Sequence, residues 1–299
     1  KTWTMESEST SGFEFLSTKP KFSGNKVKKL GRFFAGRDDA PEESNEILEW
    51  YDTLAENTAF ASYEFARAFL EFQIGNPSIT PSYRVKTRTT IREKIERDNI
   101  QLSQMWDFAG VRLTVNCLHT ELRMLAHEMK RQIEASGASV NERDYIGRPQ
   151  KGYRAIHLLI TAEAGRVEVQ LRTVLQSEWA NAYERVADLT GRRIRYEENY
   201  VPDDAELAEL VEQMKDLSGK IHYLERNQES VQRQNTVIAR SILTEPPVMA
   251  LPPEFHLLRS KSLELVAERE KLRAIEAEET LNLISNLRSI QETLGFSRS

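Results

Sequence analysis

The chain of 299 residues carries 41 Lys and Arg against 46 Asp and Glu, a formal charge of −5, with 39% hydrophobic residues, enough for one or two soluble domains. A single cysteine, Cys117, permits no intramolecular disulfide and no cysteine-based zinc site, and the five histidines (119, 127, 157, 222, 256) show no ligand spacing, so any metal is expected to be oxygen-bound. No apolar run reaches the roughly 18 to 20 residues of a membrane span, and the polar first thirty residues lack a signal-peptide core, which predicts a cytoplasmic protein with no membrane partner.

Residues 1–44, rich in Gly, Ser, Thr and Pro with little periodicity, read as a flexible basic arm with Phe13, Phe15, Phe33 and Phe34 as docking points. Within it, Lys19 to Arg37 holds seven basic residues and no acidic one, a patch that attracts polyanions. Apolar or small residues at Ile47, Tyr51, Leu54, Ala61, Phe65, Ala68 and Phe72 then predict one long amphipathic helix, stopped by Gly75-Asn76-Pro77. From Pro81 to Arg172 short apolar segments alternate with helical ones. Strands are expected near 82–88, 109–116, 138–145, 154–161 and 166–172, with helices near 89–98 and 119–135, an α/β (α+β) pattern in which helices pack on a mixed sheet.

After Thr190 the pattern is purely helical. Leu207, Leu210, Met214, Leu217, Ile221, Leu224, Gln228 and Val231 step by three and four alternately, a heptad seam that opens in acidic sequence. Pro246, Pro247, Pro252 and Pro253 force a turn, and a second run spans about 255–294, so residues 196–299 read as an antiparallel helical hairpin or an oligomerisation coil. The organisation expected is an arm at 1–44, a mixed-sheet domain at 45–195 and the hairpin at 196–299.

The chemistry concentrates in the middle. Val167 to Thr173 alternates strictly, so Glu168, Gln170 and Arg172 share one strand face; taken alone, that is also what a solvated face looks like. Trp106 to Val115 reads as a second strand with Asp107 at its mouth, Gly110 permitting a bulge, and Arg112 opposite Val111 and Leu113. Asp107 alone reads as a turn residue; paired with Glu168 it becomes a candidate ligand for Mg²⁺, which takes one or two carboxylates and leaves other positions to water and phosphate. Arg84, Lys86 and Arg88 alternate on an extended segment, while Thr90, Lys94 and Arg97 follow on one helix face, a cationic wall suited to a polyphosphate nucleotide. Tyr153, beside Gly152, offers either a stacking surface for a base or packing at a strand start.

In this order these segments resemble the synthetase domain of the RelA/SpoT family, the stringent-response alarmone synthetases and their small relatives. The matching pieces are Arg84-Val85-Lys86 with Thr90-Ile91 and Lys94; Asp107-Phe108-Ala109-Gly110-Val111-Arg112; Asp144-Tyr145-Ile146 with Gly152-Tyr153-Arg154 and His157; and Glu168 to Thr173 followed by Trp179-Ala180. The resemblance covers roughly residues 80 to 190 and includes no hydrolase half. It implies a nucleotidyltransferase-like mixed sheet that moves the β,γ-pyrophosphate of ATP to a ribose 3′-hydroxyl, releasing AMP.

By that match, Asp107 and Glu168 hold Mg²⁺ and are catalytic, with Glu168 assisting deprotonation of the attacking hydroxyl. ATP falls to Arg84 and Arg112 around the adenine and to Lys86, Thr90 and Lys94 near the phosphates. The acceptor side comprises Lys151, Tyr153, Arg154, His157, Gln170 and Arg172, with Tyr153 stacking on the base. The family reads Pro-Lys-x-Asn/Ser-Gly-Tyr where this chain has Pro149-Gln150-Lys151-Gly152-Tyr153, one residue shorter, so the acceptor loop is altered. Two acceptors stay open: GDP or GTP, giving (p)ppGpp, and the 3′-CCA end of tRNA, as for family toxins that block translation and pair with an antitoxin. A catalytically silent interaction protein working through its helices is the reading from a different class. The helices themselves read as closing a homo-oligomer, recognising a regulatory partner, or shielding the basic site.

Overall fold

The computed structural model describes residues 12–74, 77–197 and 200–243, with isolated positions at 278, 282, 285, 286 and 289. Among the described residues no helix is long and apolar enough to cross a membrane. The second helical run expected at 255–294 lies outside this description. The described chain divides into two compact units: one comprises residues up to Cys117, Glu121–Tyr145 and Ala155–Thr173, the other Leu118–Thr120, Ile146–Arg154 and the residues from Val174 onward.

The first unit is built on a five-stranded sheet in the order β1-β2-β5-β4-β3, with β1 at Ile79–Val85, β2 at Ala109–Val115, β3 at Ser139–Asp144, β4 at Ile156–Ala162 and β5 at Gly165–Thr173. Only β2 and β5 run parallel, making the sheet mixed as the alternation predicts. Strand alternation sorts its two faces. Val111, Leu113, Val115, Val167, Val169, Leu171, Leu158 and Ile160 are buried, and the intervening residues of β2 stay half-exposed. The long helix α2 (Ser44–Ile74) packs on β1, β2 and β5. Its buried stripe runs through Ile47, Tyr51, Leu54, Ala55, Ala59, Ala66 and Leu70, whereas Phe72, expected on that face, is 91% exposed.

Where the sequence suggests a flexible arm, residues 24–34 form helix α1 (Gly24–Phe34). Val27, Leu30 and Phe34, at helical spacing, are buried, while every lysine and arginine from Lys19 to Arg37 stays exposed. The preceding segment is also fastened: Phe13 is buried beside Phe65, Leu16 accepts a hydrogen bond from the Ala164 N–H (3.0 Å), and Phe22 meets the Trp50 edge. Composition suggested disorder because Gly, Ser and Lys dominate, yet a few apolar residues at the right spacing suffice to dock eleven residues of helix. Helix α3 (Arg88–Asp98) buries Ile91 and Ile95 and packs against α1. Helix α4 (His119–Ala135) buries Leu122, Leu125, Ala126, Met129 and Ile133.

The second unit pairs helix α5 (Val174–Thr190) with α6 (Ala205–Leu243). Thus α5, expected within the sheet domain at 45–195, clusters instead with the C-terminal helix. The buried seam of α6 is Val211, Met214, Ser218, Ile221, Leu224 and Glu225, set against Trp179, Tyr183 and Val186, while Leu210 and Leu217 pack at its margin. The Trp179 indole N–H donates to the Met214 carbonyl (2.6 Å). The heptad face is thus used within one chain.

Candidate active site

Asp107 sits in a single 3₁₀ turn, Trp106–Phe108, that feeds directly into β2. Both neighbours are anchored. Phe108 is fully buried with its ring 4.5 Å from that of Tyr51, and the Trp106 indole N–H donates to Thr161 Oγ1 (3.1 Å) while Arg166 lies over its ring (4.4 Å). Held between two fixed aromatics, the carboxylate faces Lys94 Nζ at 2.8 Å and an ion pair with Lys86. The Lys86 N–H donates to the Phe108 carbonyl (3.0 Å), so backbone and side chain bind the same turn. Burial opposes the charge on Asp107, but the two ammonium groups outweigh it and hold the carboxyl below its usual range. Asp107 is therefore the turn residue that the sequence offered, and its carboxylate is paired with two lysines.

Register brings the second carboxylate to the same face as the arginines. In β1 and β2, Arg84 pairs with Gly110 and Ser82 with Arg112; in β2 and β5, Gly110 pairs with Glu168 and Arg112 with Gln170; in β4 and β5, His157 pairs with Gln170. Directly paired residues share a sheet face. Arg84, Arg112, Glu168, Gln170 and His157 therefore lie on one side, with Gly110 leaving the middle bare. The expected bulge at Gly110 is absent: the ladder runs unbroken through it, and an added Cβ would meet nothing closer than the Arg84 carbonyl at 3.7 Å. What glycine provides there is an open patch between a guanidinium and a carboxylate.

Glu168 is held by side chains of its own sheet face. His157 Nδ1 lies 2.9 Å from Oε1, Gln170 Nε2 donates to Oε2 (2.8 Å), and Arg172 Nη2 donates to Gln170 Oε1 (2.7 Å), an oriented row along β5. Arg172 is 2% exposed, so it fixes this row from beneath the surface. Burial pushes the Glu168 carboxyl up and Asp107's charge adds to that, but the His157 contact and the Gln170 hydrogen bond prevail and leave it below its usual range. The Tyr145 ring stands edge-on to His157 at 5.0 Å.

Two members of the expected cationic wall are used elsewhere. β1 ends at Val85, so Arg88 opens α3 instead of continuing the alternation, and its guanidinium lies 4.5 Å from the Phe33 ring centre. Arg97 pairs with Asp98 (2.6 Å). Thr90 directs its hydroxyl to the Thr87 carbonyl (2.9 Å) in the first turn of α3. The cations around Asp107 are thus Lys86 and Lys94, with Arg84 on the sheet face.

Lys151, Tyr153 and Arg154 belong to the second unit. Lys151 (φ 54°) and Gly152 (φ 85°) are both left-handed, and Gln150 and Tyr153 close the turn by exchanging backbone hydrogen bonds, Tyr153 N–H to Gln150 (2.8 Å) and Gln150 N–H to Tyr153 (3.3 Å). Two left-handed central residues are the signature of a type I′ hairpin, so residues 150–153 close as a tight two-residue turn. A Cβ at Gly152 would approach Trp179 to 2.9 Å and Ser218 to 3.3 Å, so a side chain at this position would crowd both. Tyr153 is half-buried against the α5–α6 cluster.

Sequence reasoning missed a second polar group. His119 Nε2 lies 2.7 Å from Glu225 Oε2, which also accepts from Gln176 Nε2 (3.2 Å), and the His119 and His222 rings stack at 5.4 Å. The usable signal was Ser218 and Glu225 seven apart, one residue after Leu217 and Leu224.

A sequence profile described as "Region found in RelA / SpoT proteins" matches residues 83–187. An uncharacterised Mycobacterium tuberculosis protein is 34% identical over 218 residues, covering 69% of this chain and 76% of that protein. The guanosine-3′,5′-bis(diphosphate) 3′-pyrophosphohydrolase of Aquifex aeolicus is 31% identical over 152 residues, 48% of this chain and 20% of that one. Among solved structures, small alarmone synthetase 2 from Bacillus subtilis superposes with a TM-score of 0.52 at 22% identity, over 64% of this chain and 100% of that chain. A GTP pyrophosphokinase family protein from Streptococcus pneumoniae gives 0.51 at 19%, over 69% and 100%. These share the fold.

Proposed function

Because the chain belongs to the RelA/SpoT family, we propose that it transfers the β,γ-pyrophosphate of ATP to the 3′-hydroxyl of GDP or GTP, releasing AMP and forming (p)ppGpp. The observation that carries the reading is the sheet face on which Arg84, Arg112 and Glu168 surround the bare Gly110, in the same unit as Asp107 with its two lysines. Transfer of this kind asks little covalent chemistry of a protein; positioning and charge do the work.

The donor set fits Mg²⁺. Asp107 and Glu168 offer ionised hard-oxygen groups, and the charge of Asp107, which pushes the Glu168 carboxyl up, is one that a bound cation would offset. When bound, the ion supplies charge neutralisation on the transferred group. Lys86 and Lys94 bind ATP phosphates as point charges, and Arg84 and Arg112 bracket the adenine by planar stacking. Glu168, kept ionised and oriented by His157 and Gln170, accepts the hydrogen of the attacking 3′-hydroxyl. That oxygen bonds to the β-phosphorus as the bridge to the α-phosphate breaks, and the proton leaves toward solvent. Tyr153 offers its ring to the acceptor base.

A second reading takes tRNA as the acceptor, because Lys21, Lys28, Lys29 and Arg37 are exposed on and beside the ordered helix α1, where phosphates can be met. The test is transfer from γ-labelled ATP with Mg²⁺, offering GDP, GTP, ATP and deacylated tRNA in parallel. Label on a guanosine nucleotide supports the first reading and label on tRNA alone the second. No label on any acceptor removes both and leaves an interaction protein.

A further inference from the structure

Helix α6 fastens the acceptor turn from outside the profile-matched region. Ser218, 3% exposed, donates its hydroxyl to the Gly152 carbonyl, and Arg154 Nε donates to Ser218 Oγ (3.3 Å) while its Nη1 donates to the Ile146 carbonyl. One arginine thus ties the end of the 146–154 loop back to its beginning, and one serine pins its apex. A helical serine ordinarily bonds a carbonyl of its own preceding turn. This one reaches across to a turn 66 residues earlier in the chain.

The helix is itself locked at that height. Glu225, seven residues on and 6% exposed, engages His119 and Gln176, and an apolar seam fills the space between. Sliding α6 by one residue would break a buried charged contact and the Trp179–Met214 hydrogen bond together, so Ser218 cannot drift from Gly152. The turn itself is two left-handed residues closed by a backbone bridge. The adjoining Tyr153 ring rests on the same α5–α6 cluster. A stacking residue needs a fixed backbone, and the Ser218 bond to Gly152 holds the residue before Tyr153.

The geometry points to Ser218 as a positioning residue for the acceptor: α6, through Ser218 and Arg154, sets the 150–153 turn and so the aim of the Tyr153 ring. This rests on the pyrophosphotransfer reading. It gives α6 a part in holding the turn that bears Tyr153.

The experiment compares Ser218→Ala with wild type in the full chain, measuring separate KM values for ATP and for GDP or GTP, and amide hydrogen exchange over residues 150–154. The expected result is an acceptor KM raised about tenfold, the scale of one lost buried hydrogen bond, with the ATP KM within about twofold and faster exchange at the Tyr153 amide. Equal change in both KM values, an unchanged acceptor KM, or a gain in activity would overturn the assignment. Should wild type transfer label to no acceptor, the pyrophosphotransfer reading falls separately, and exchange decides the clamp: faster exchange in Ser218→Ala sustains it, unchanged exchange ends it.

Discussion

The polar face of the sheet and the polar seam of α6 look alike on paper, since each sets polar side chains at the period of its secondary structure. Their surroundings differ. On the sheet, Arg84 is exposed, Arg112, Glu168 and Gln170 are half-buried, and a glycine keeps the centre clear. On α6, Ser218 and Glu225 are buried and their acceptors and donors are taken up by Gly152, Arg154, His119 and Gln176. A polar row with room beside it can bind something; a polar row closed on itself is a fastening that fixes register.

The sharpest way to break that contrast is to remove the carboxylates. Asp107→Ala and Glu168→Ala should each lower AMP release by about a thousandfold, as expected when preorganised charge is lost, with the circular dichroism spectrum unchanged; a loss of less than about tenfold in either would sink the metal assignment. On α6 the large effect should fall on stability instead. Glu225→Ala removes the buried carboxylate that His119 and Gln176 share and should cost about 2 kcal/mol in urea unfolding, the scale of a buried hydrogen-bond partner left unmet. A loss below about 1 kcal/mol would place Glu225 with ordinary surface pairs.

Gly110→Val separates room from strand formation. The added Cβ makes only ordinary contact and valine suits a strand, so stability should move by less than about 1 kcal/mol. Transfer should still drop about tenfold, the scale of a misplaced substrate. Parallel loss of both would show that the strand, and not the open patch, required glycine.

The smallest effect is one of pH. Burial first, then the charges of Arg154 and neighbouring His119, with Arg226 adding and Glu225 opposing, hold His222 down at about 4 from an ordinary 6.5. Between those values the unfolded chain takes up a proton that the folded chain refuses, so His222 removes stability as pH falls from about 6.5 toward 4. Urea midpoints at pH 7 and pH 5 should differ less in His222→Gln than in wild type. An equal difference would assign the pH dependence to other groups.

Much of the first unit was legible because its signals are local. Strict alternation in Val167 to Arg172 and in Val111 to Val115 marks two strands, and their charged residues fall on the face that the register confirms. What could not be read is pairing: that Gly110 stands between Arg84 and Glu168 depends on strand order, which no local pattern encodes. The order of α1 was hidden by composition, since Val27, Leu30 and Phe34 are a small minority among lysines and glycines. The seam of α6 was hidden by the opposite bias. Leucines drew the eye to one face, while burial follows Val211, Ser218 and Glu225, where two polar residues read as solvated until their partners from distant segments are in place.

The second unit is also assembled out of sequence. Its described parts are Leu118–Thr120, Ile146–Arg154 and the helices after Val174, so the turn bearing Tyr153 waits for a chain some seventy residues longer before Ser218 and Glu225 can reach their partners. During synthesis the sheet, complete at Thr173, can form while the turn is still unfastened. A chain interrupted before α6 would therefore have its sheet, with Asp107 and Glu168, in order while the 150–153 turn still lacked the Ser218 fastening.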